Sequence, residues 1–175
     1  MGIRITGGML RGRIIDSPSG LSVRPTGART REAVFNILQD VSGFSVLDLF
    51  SGSGIMGIEA ISRGASSVVA VENNRKQAIS LRNNYRKLQI ENNLTLWERD
   101  VLSLEFSHEK KTFDLIYADP PFTETYPDLR KFLDFLSPDG VAIFECPSRA
   151  IPEWALEGKV RRYGESSLAF FWKDS

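Results

Sequence analysis

Five short apolar runs constrain this chain more than any other feature. They are "SVLDLF" (45–50), "SVVAVE" (67–72), "LTLWERD" (94–100), "DLIYADPP" (114–121) and "GVAIFECP" (140–147). Segments with helical spacing of apolar residues separate them, at 55–63, 74–89 and 126–136. Val- and Ile-rich strands that alternate with helices form an α/β fold with a parallel sheet buried on both faces. Right-handed crossovers bring the first and fourth strands together where the strand order reverses, and ligands bind such sheets at the strands' carboxyl ends there. The last two runs, 159–165 and 167–173, leave no room for a helix between them. They form a hairpin, which sets an antiparallel C-terminal strand into a mostly parallel seven-stranded sheet. The start of the chain also departs from the rhythm. Residues 3–6 and 11–16 alternate around "GGML" and predict an N-terminal β-hairpin. A Ser-, Pro- and Gly-rich loop follows, then a helix over 28–39 with Ala33, Val34, Ile37 and Leu38 as its apolar stripe. The division expected is an extension over 1–26 and a single domain over 27–175.

The formal net charge is zero, but its distribution is uneven. Residues 1–31 hold Arg4, Arg11, Arg13, Arg24, Arg29 and Arg31 against one acid, Asp16, so the first segment carries +5 and the remainder −5. All six cations are arginine, whose planar donors suit phosphate. This points to nucleic-acid contact by the extension. Cys146 is the only cysteine and His108 the only histidine, which excludes an internal disulfide, a Cys or His metal cluster and a Cys–His dyad within the chain. A reducing, cytoplasmic setting is expected, with neither metal nor membrane as a partner.

The first strand runs into Gly52-Ser53-Gly54-Ile55-Met56-Gly57, a G-x-G-x-x-G pattern. By itself this says only that a nucleotide-like ligand lies on a strand-to-helix turn. The acids around it are more selective. Asp48 lies within the first strand, Glu72 ends the second and Asp100 ends the third. Glu72 suits two ribose hydroxyls and Asp100 an adenine amino group. Asp48 discriminates, because a carboxylate beside the glycines repels a pyrophosphate and attracts a cation. S-adenosylmethionine carries a sulfonium and an ammonium and has no phosphate. Each acid alone also reads as a helix cap or turn former; their recurrence at successive strand ends favours the ligand.

The fourth strand ends in Asp119-Pro120-Pro121-Phe122. Two prolines fix the backbone and so aim the Asp119 carboxylate and the Pro120 carbonyl. An exocyclic amine is a poor nucleophile because its lone pair is delocalised into the base. Two acceptors can hold its two hydrogens, Asp119 can stabilise the positive charge that grows on nitrogen, and Phe122 can stack on the base.

The motifs "RITGGMLRGR", "RPT", "RTREAVFNIL", "LDLFSGSGIMGIEAISRGA", "VEN" and "YADPPF", in this order, resemble the bacterial small-subunit ribosomal RNA guanine-N2 methyltransferases over nearly the whole chain. The resemblance implies a Rossmann-like class I methyltransferase fold and S-adenosyl-L-methionine as donor. It implies methylation of N2 of one guanine, numbered 966, in 16S rRNA of an assembled or assembling small subunit, by a monomer. By motif, the cofactor site comprises Asp48, Phe50, Ser51, Gly52, Ser53, Gly54, Glu72, Asn73, Asp100 and Val101. Asp119, Pro120, Pro121 and Phe122 hold the guanine, and Arg24, Arg29 and Arg31 fall in the family's arginine block. Family members often continue beyond the length seen here. The rival readings are an adenine-N6 DNA or RNA methyltransferase, which shares the DPPF chemistry, a nicotinamide oxidoreductase, which shares the glycine loop, and a non-catalytic RNA-binding module, which leaves the strand-end acids unexplained.

Overall fold

A computed structural model describes residues 2–17, 26–105, 112–121 and 126–173. Arg24, Phe122 and His108 lie outside them. The extension forms strands β1 (Gly2–Arg4) and β2 (Ile14–Asp16), paired antiparallel with Ile3 opposite Ile15. They are shorter than the pattern suggests. Beyond Arg4 the pairing continues as isolated bonds, Ile5 N–H to Arg13 O and Gly12 N–H to Ile5 O, both 2.9 Å.

The domain then runs α1 (Ala28–Leu38), β3 (Ser45–Leu49), α2 (Ile55–Ser62), β4 (Ser67–Val71), α3 (Arg75–Lys87), β5 (Leu94–Trp97), β6 (Phe113–Ala118), β7 (Leu136–Pro147), β8 (Lys159–Tyr163) and β9 (Ser166–Trp172). The seven-stranded sheet has the order β5-β4-β3-β6-β7-β9-β8. The pairs from β5 to β7 are parallel, and β9 is antiparallel to both β7 and β8. The first and fourth strands of the domain, β3 and β6, are neighbours, so the order reverses between them as the crossover argument requires.

One expected helix is absent. Residues 130–135 form a 3₁₀ helix and β7 begins immediately, at Leu136 rather than near 140. The reason lies in the spacing of the apolar residues. Leu129 and Phe132 are fully buried and Phe135 partly so, an i, i+3, i+6 series that a three-residue turn puts in line and a 3.6-residue turn does not.

The core has two layers, one on each face of the sheet. One joins Val46, Tyr117 and Ile143 to α1, α2, α3 and the hairpin residues Ile3, Ile5, Leu10 and Ile15. The other joins Leu47, Ile116 and Phe144 to Leu129, Phe132 and Trp154. The hairpin is thus packed into the same core as the domain. Helix α2 is buried along its whole length between sheet and hairpin. Among the described residues no helix is long and apolar enough to cross a membrane.

Candidate active site at the carboxyl ends of the parallel strands

The glycine turn is built as the motif predicts. Phe50 leaves β3 in the left-handed region (φ 57), which reverses the chain into the loop. Gly54 is also left-handed (φ 80) and starts α2 without a capping side chain. A Cβ on Gly57 would come within 2.4 Å of Tyr85 Oη and 2.8 Å of a Val68 methyl, so only glycine lets α2 lie this close to α3 and β4. Ser51 holds the loop to the sheet: its hydroxyl donates to Asp48 O (2.5 Å) and accepts from Val71 N–H (3.1 Å). Ser53 O accepts from the buried Asn84 amide at 3.1 Å.

Two of the predicted acids, Glu72 and Asp48, bond this loop and the helix it starts. Asp48 is buried and accepts one hydrogen bond from Gly57 N–H at 3.3 Å. Burial pushes its carboxyl up to about 7, assisted by the charge of Glu72. Glu72 is buried one residue past β4, and its two oxygens accept from Gly52 N–H (2.9 Å) and Asn74 N–H (2.8 Å). Asn73 is exposed between them. Asp100 is exposed beyond β5; its carboxylate accepts from Leu102 N–H at 3.0 Å and caps the short turn at Val101–Ser103. Val101 is buried.

Strand β6 stops at Ala118, so Asp119 is the first residue beyond it rather than part of the strand. Pro120 is buried and Pro121 exposed. Asp119 is half-buried and accepts from the Thr26 hydroxyl at 2.9 Å. Burial raises its carboxyl well above the usual range, and the nearby charge of Glu145 raises it further. Neither Asp48 nor Asp119 has an ion-pair partner among the described residues.

The arginines separate into two groups. Arg4, Arg11, Arg13 and Arg29 are exposed. Arg31 is not, and its place among surface cations needs correction: it is 3% exposed. Its Nε pairs with Glu59 (3.2 Å), and its Nη1 and Nη2 donate to Thr26 O (2.5 Å) and Arg4 O (2.8 Å). These bonds fasten the hairpin and Thr26 to α2. A cleft of about 560 Å³ lies between the hairpin and the start of α1, with Arg4, Arg11, Thr26, Gly27 and Glu32 in its walls.

Three buried polar residues at or around the site were not singled out from sequence: Thr26, Glu59 and Glu145. Thr26 lay unremarked inside "RPT". The two glutamates carried a usable signal, a single acid within the apolar runs "IMGIEAI" and "VAIFECP".

Comparison with known proteins agrees with this geometry. Residues 3–172 match the family model described as conserved hypothetical protein 95. Ribosomal RNA small subunit methyltransferase D of Escherichia coli K12 is 36% identical over 122 residues, which covers 69% of this chain and 60% of that protein. The chain thus spans less than two thirds of that relative. The solved structure of YhhF from Escherichia coli superposes with a TM-score of 0.82 at 28% identity and 99% coverage of both chains. The 16S rRNA N2 G1207 methyltransferase of Thermus thermophilus, solved with AdoMet and guanosine, shares the fold, with a TM-score of 0.74 at 24% identity over 99% of this chain and 50% of that one. A match over almost the whole chain, on a class I methyltransferase fold, places this protein in the conserved hypothetical protein 95 family, to which it belongs together with the ribosomal RNA small subunit methyltransferase D proteins.

Proposed function

We propose that this chain methylates the exocyclic N2 of a guanine in small-subunit ribosomal RNA, with S-adenosylmethionine as donor. The observation that carries the reading is the meeting of Asp48 and Asp119, neither paired with a cation among the described residues, at the reversal point of the sheet beside a rigid Pro-Pro corner. Buried carboxylates are normally paired. A pair of acids left unneutralised in a cleft fits a ligand that brings positive charge, and a nicotinamide dinucleotide brings the opposite. The kinship with methyltransferase D and the fold shared with a protein solved with AdoMet and guanosine support the same ligands.

When bound, S-adenosylmethionine supplies a sulfonium methyl group, whose carbon bonds to the amine nitrogen as its bond to sulfur breaks and the electron pair stays on sulfur. The chain does the rest. Asp48 offsets the donor's positive charge, and the donor's carboxylate goes to Ser53 N–H, since the neighbouring N–H groups of Ser51, Gly52 and Gly54 already donate to Val71 O, Glu72 and Ser51 O. Glu72 holds the ribose, Asn73 lies at the mouth, and Asp100 and Val101 meet the adenine. Asp119 and the Pro120 carbonyl hold the two amine hydrogens, and Phe122 stacks on the base. Asp119 stabilises the charge that develops on nitrogen and takes the proton released. Positioning supplies much of the remaining rate. The exposed Arg4, Arg11 and Arg13, with Arg24, grip phosphates, joined by Arg29 at the start of α1, so residues 1–26 chiefly serve RNA and 27–175 carry the chemistry. In this reading the target is guanine 966 of 16S rRNA within a small subunit or its assembly intermediate, and a cytoplasmic monomer acts on it.

The test uses small subunits from a strain lacking the enzyme, incubated with labelled donor, with the modified base then mapped. Saturable donor binding and a single N2-methylguanine are expected. Binding of NAD, or a label on adenine N6, overturns the assignment. Asp119→Ala should lower transfer by about 10²–10³-fold and leave donor affinity within a few-fold; equal loss of both would make Asp119 a cofactor or folding residue.

A further inference from the structure

One buried acid near the site has no part in the mechanism above. Glu145 lies in β7, 4% exposed. Strands β6 and β7 are parallel with Tyr117 opposite Ile143 and Ala118 opposite Phe144. The next step in this register sets Asp119 beside Glu145. Side chains alternate along a strand, so Tyr117, Asp119, Ile143 and Glu145 share the sheet face that carries α1, α2 and the hairpin. The Tyr117 hydroxyl donates to Glu145 Oε2 at 2.7 Å, and the Tyr126 hydroxyl donates to the Glu145 carbonyl. Among the described residues no Lys or Arg pairs with Glu145.

We propose that Glu145 is a positioning residue for methyl transfer, a second carboxylate set behind Asp119 whose charge strengthens Asp119 as acceptor of the proton the amine loses. The inference rests on the methyltransferase reading. As the nitrogen gains its methyl group it becomes positive, one of its N–H bonds breaks, and that proton passes to an oxygen of Asp119, leaving a neutral secondary amine. Glu145 touches neither reactant. It acts through Asp119, by keeping negative charge behind the oxygen that receives the proton, while the Tyr117 hydroxyl fixes its direction. Such an arrangement costs the empty protein stability, because two adjacent buried acids repel. That cost separates a functional acid from a structural one.

The groups that face Asp119 define what the experiment must control. They are Glu145 from β7, Asp48 from β3, Tyr117 from β6, the Thr26 hydroxyl ahead of α1, and Tyr126. Arg31 donates to the carbonyl of Thr26, whose hydroxyl bonds Asp119, and pairs with Glu59 rather than with Asp119. Glu145→Gln keeps the shape and removes the charge. On the protein without donor, the melting temperature of Glu145→Gln at pH 8 should equal or exceed that of the parent. A structural glutamate predicts a fall, and a fall, or failure to fold, overturns the proposal. With donor and small subunits, Glu145→Gln should lower kcat about tenfold, leave donor affinity within a few-fold, and move the acidic limb of the pH–rate profile down by about one unit. Glu145→Asp, which restores the charge, should recover the limb. If the parent transfers no methyl group, the methyltransferase reading fails. If the parent is active and Glu145→Gln keeps both its rate and its limb, only this inference fails.

Discussion

Glu59 and Asp119 are carboxylates on the same side of the sheet, and their surroundings differ in kind. Glu59 is completely buried and saturated. Its Oε1 accepts from Thr6 N–H (2.7 Å), the Thr6 hydroxyl (2.8 Å) and Arg31 Nε (3.2 Å), and its Oε2 from Arg63 Nε (3.4 Å). Two guanidiniums and a threonine supply all that its charge needs. Asp119 accepts from one described hydroxyl, that of Thr26, and faces two further acids, Glu145 and Asp48. A carboxylate whose cation lies within the chain is a fastening. One left without a cation keeps its capacity for a partner that arrives from outside. Arg31 joins the two regions, since the guanidinium that saturates Glu59 also holds Thr26, which in turn orients Asp119.

The largest expected effect tests the fastening. Glu59→Ala leaves Arg31 and Arg63 without their buried partner and should lower the unfolding free energy by about 3–5 kcal/mol, as measured by urea denaturation. Asp119→Asn, at the other kind of site, should change stability little or raise it. If both substitutions destabilise alike, the distinction between the two regions is broken.

A somewhat smaller effect concerns Asp48. Its carboxyl is raised from 3.8 to about 7, chiefly by burial. An acid whose pKa rises on folding destabilises the fold when it ionises. The penalty is absent below about pH 4, grows between pH 4 and 7, and is complete above, at roughly 4 kcal/mol. Melting of the protein without donor should therefore fall in temperature as pH rises from 5 to 8, and Asp48→Asn should remove most of that fall. Donor affinity should move the opposite way, because a bound cation favours the ionised form. It should tighten with rising pH and level off above about 7, and Asp48→Asn should bind weakly at every pH. Affinity that stays constant from pH 5 to 8 would deny Asp48 any meeting with the donor's charge.

How much of this was legible in the sequence follows from the range of the forces involved. Asp48, Glu72 and Asp119 could be placed from local pattern, because a strand's end and the glycines beyond it are set by neighbours in the chain. The pairing of the first and fourth strands at the reversal point followed from the handedness of the crossovers. The 3₁₀ turn at 130–135 was hidden because Leu129, Phe132 and Leu133, at i, i+3 and i+4, also fit a helical face, and only Phe135 departs from it. Arg31 was grouped with the surface arginines because nothing local distinguishes it. Its burial is decided by Glu59, 28 residues away in sequence, and by the hairpin laid across both. Glu145 needed the register of β6 against β7 before its neighbour could be known.

The same residue type in two settings gives the finest test of the comparison. Arg11 and Arg13 are exposed, and the side-chain hydrogen bond described for them is a long one from Arg13 Nη2 to Lys87 O at 3.4 Å. Arg31 is enclosed. Arg11→Ala with Arg13→Ala should leave the melting temperature unchanged and weaken RNA binding by a few-fold, reducing the dependence of log affinity on log salt by about one for each arginine that meets a phosphate. Arg31→Ala should instead lower the melting temperature, and at a temperature where the variant remains folded its salt slope should match the parent's. A slope reduced by Arg31→Ala would mean that the guanidinium leaves Glu59 to reach RNA, and the line between fastening and contact would then run through one residue rather than between two regions. An unchanged slope for the Arg11 and Arg13 pair would take the hairpin's outer face out of RNA binding and leave Arg4, in the wall of the cleft at the start of α1, with Arg24 and Arg29 as the cations that meet phosphate.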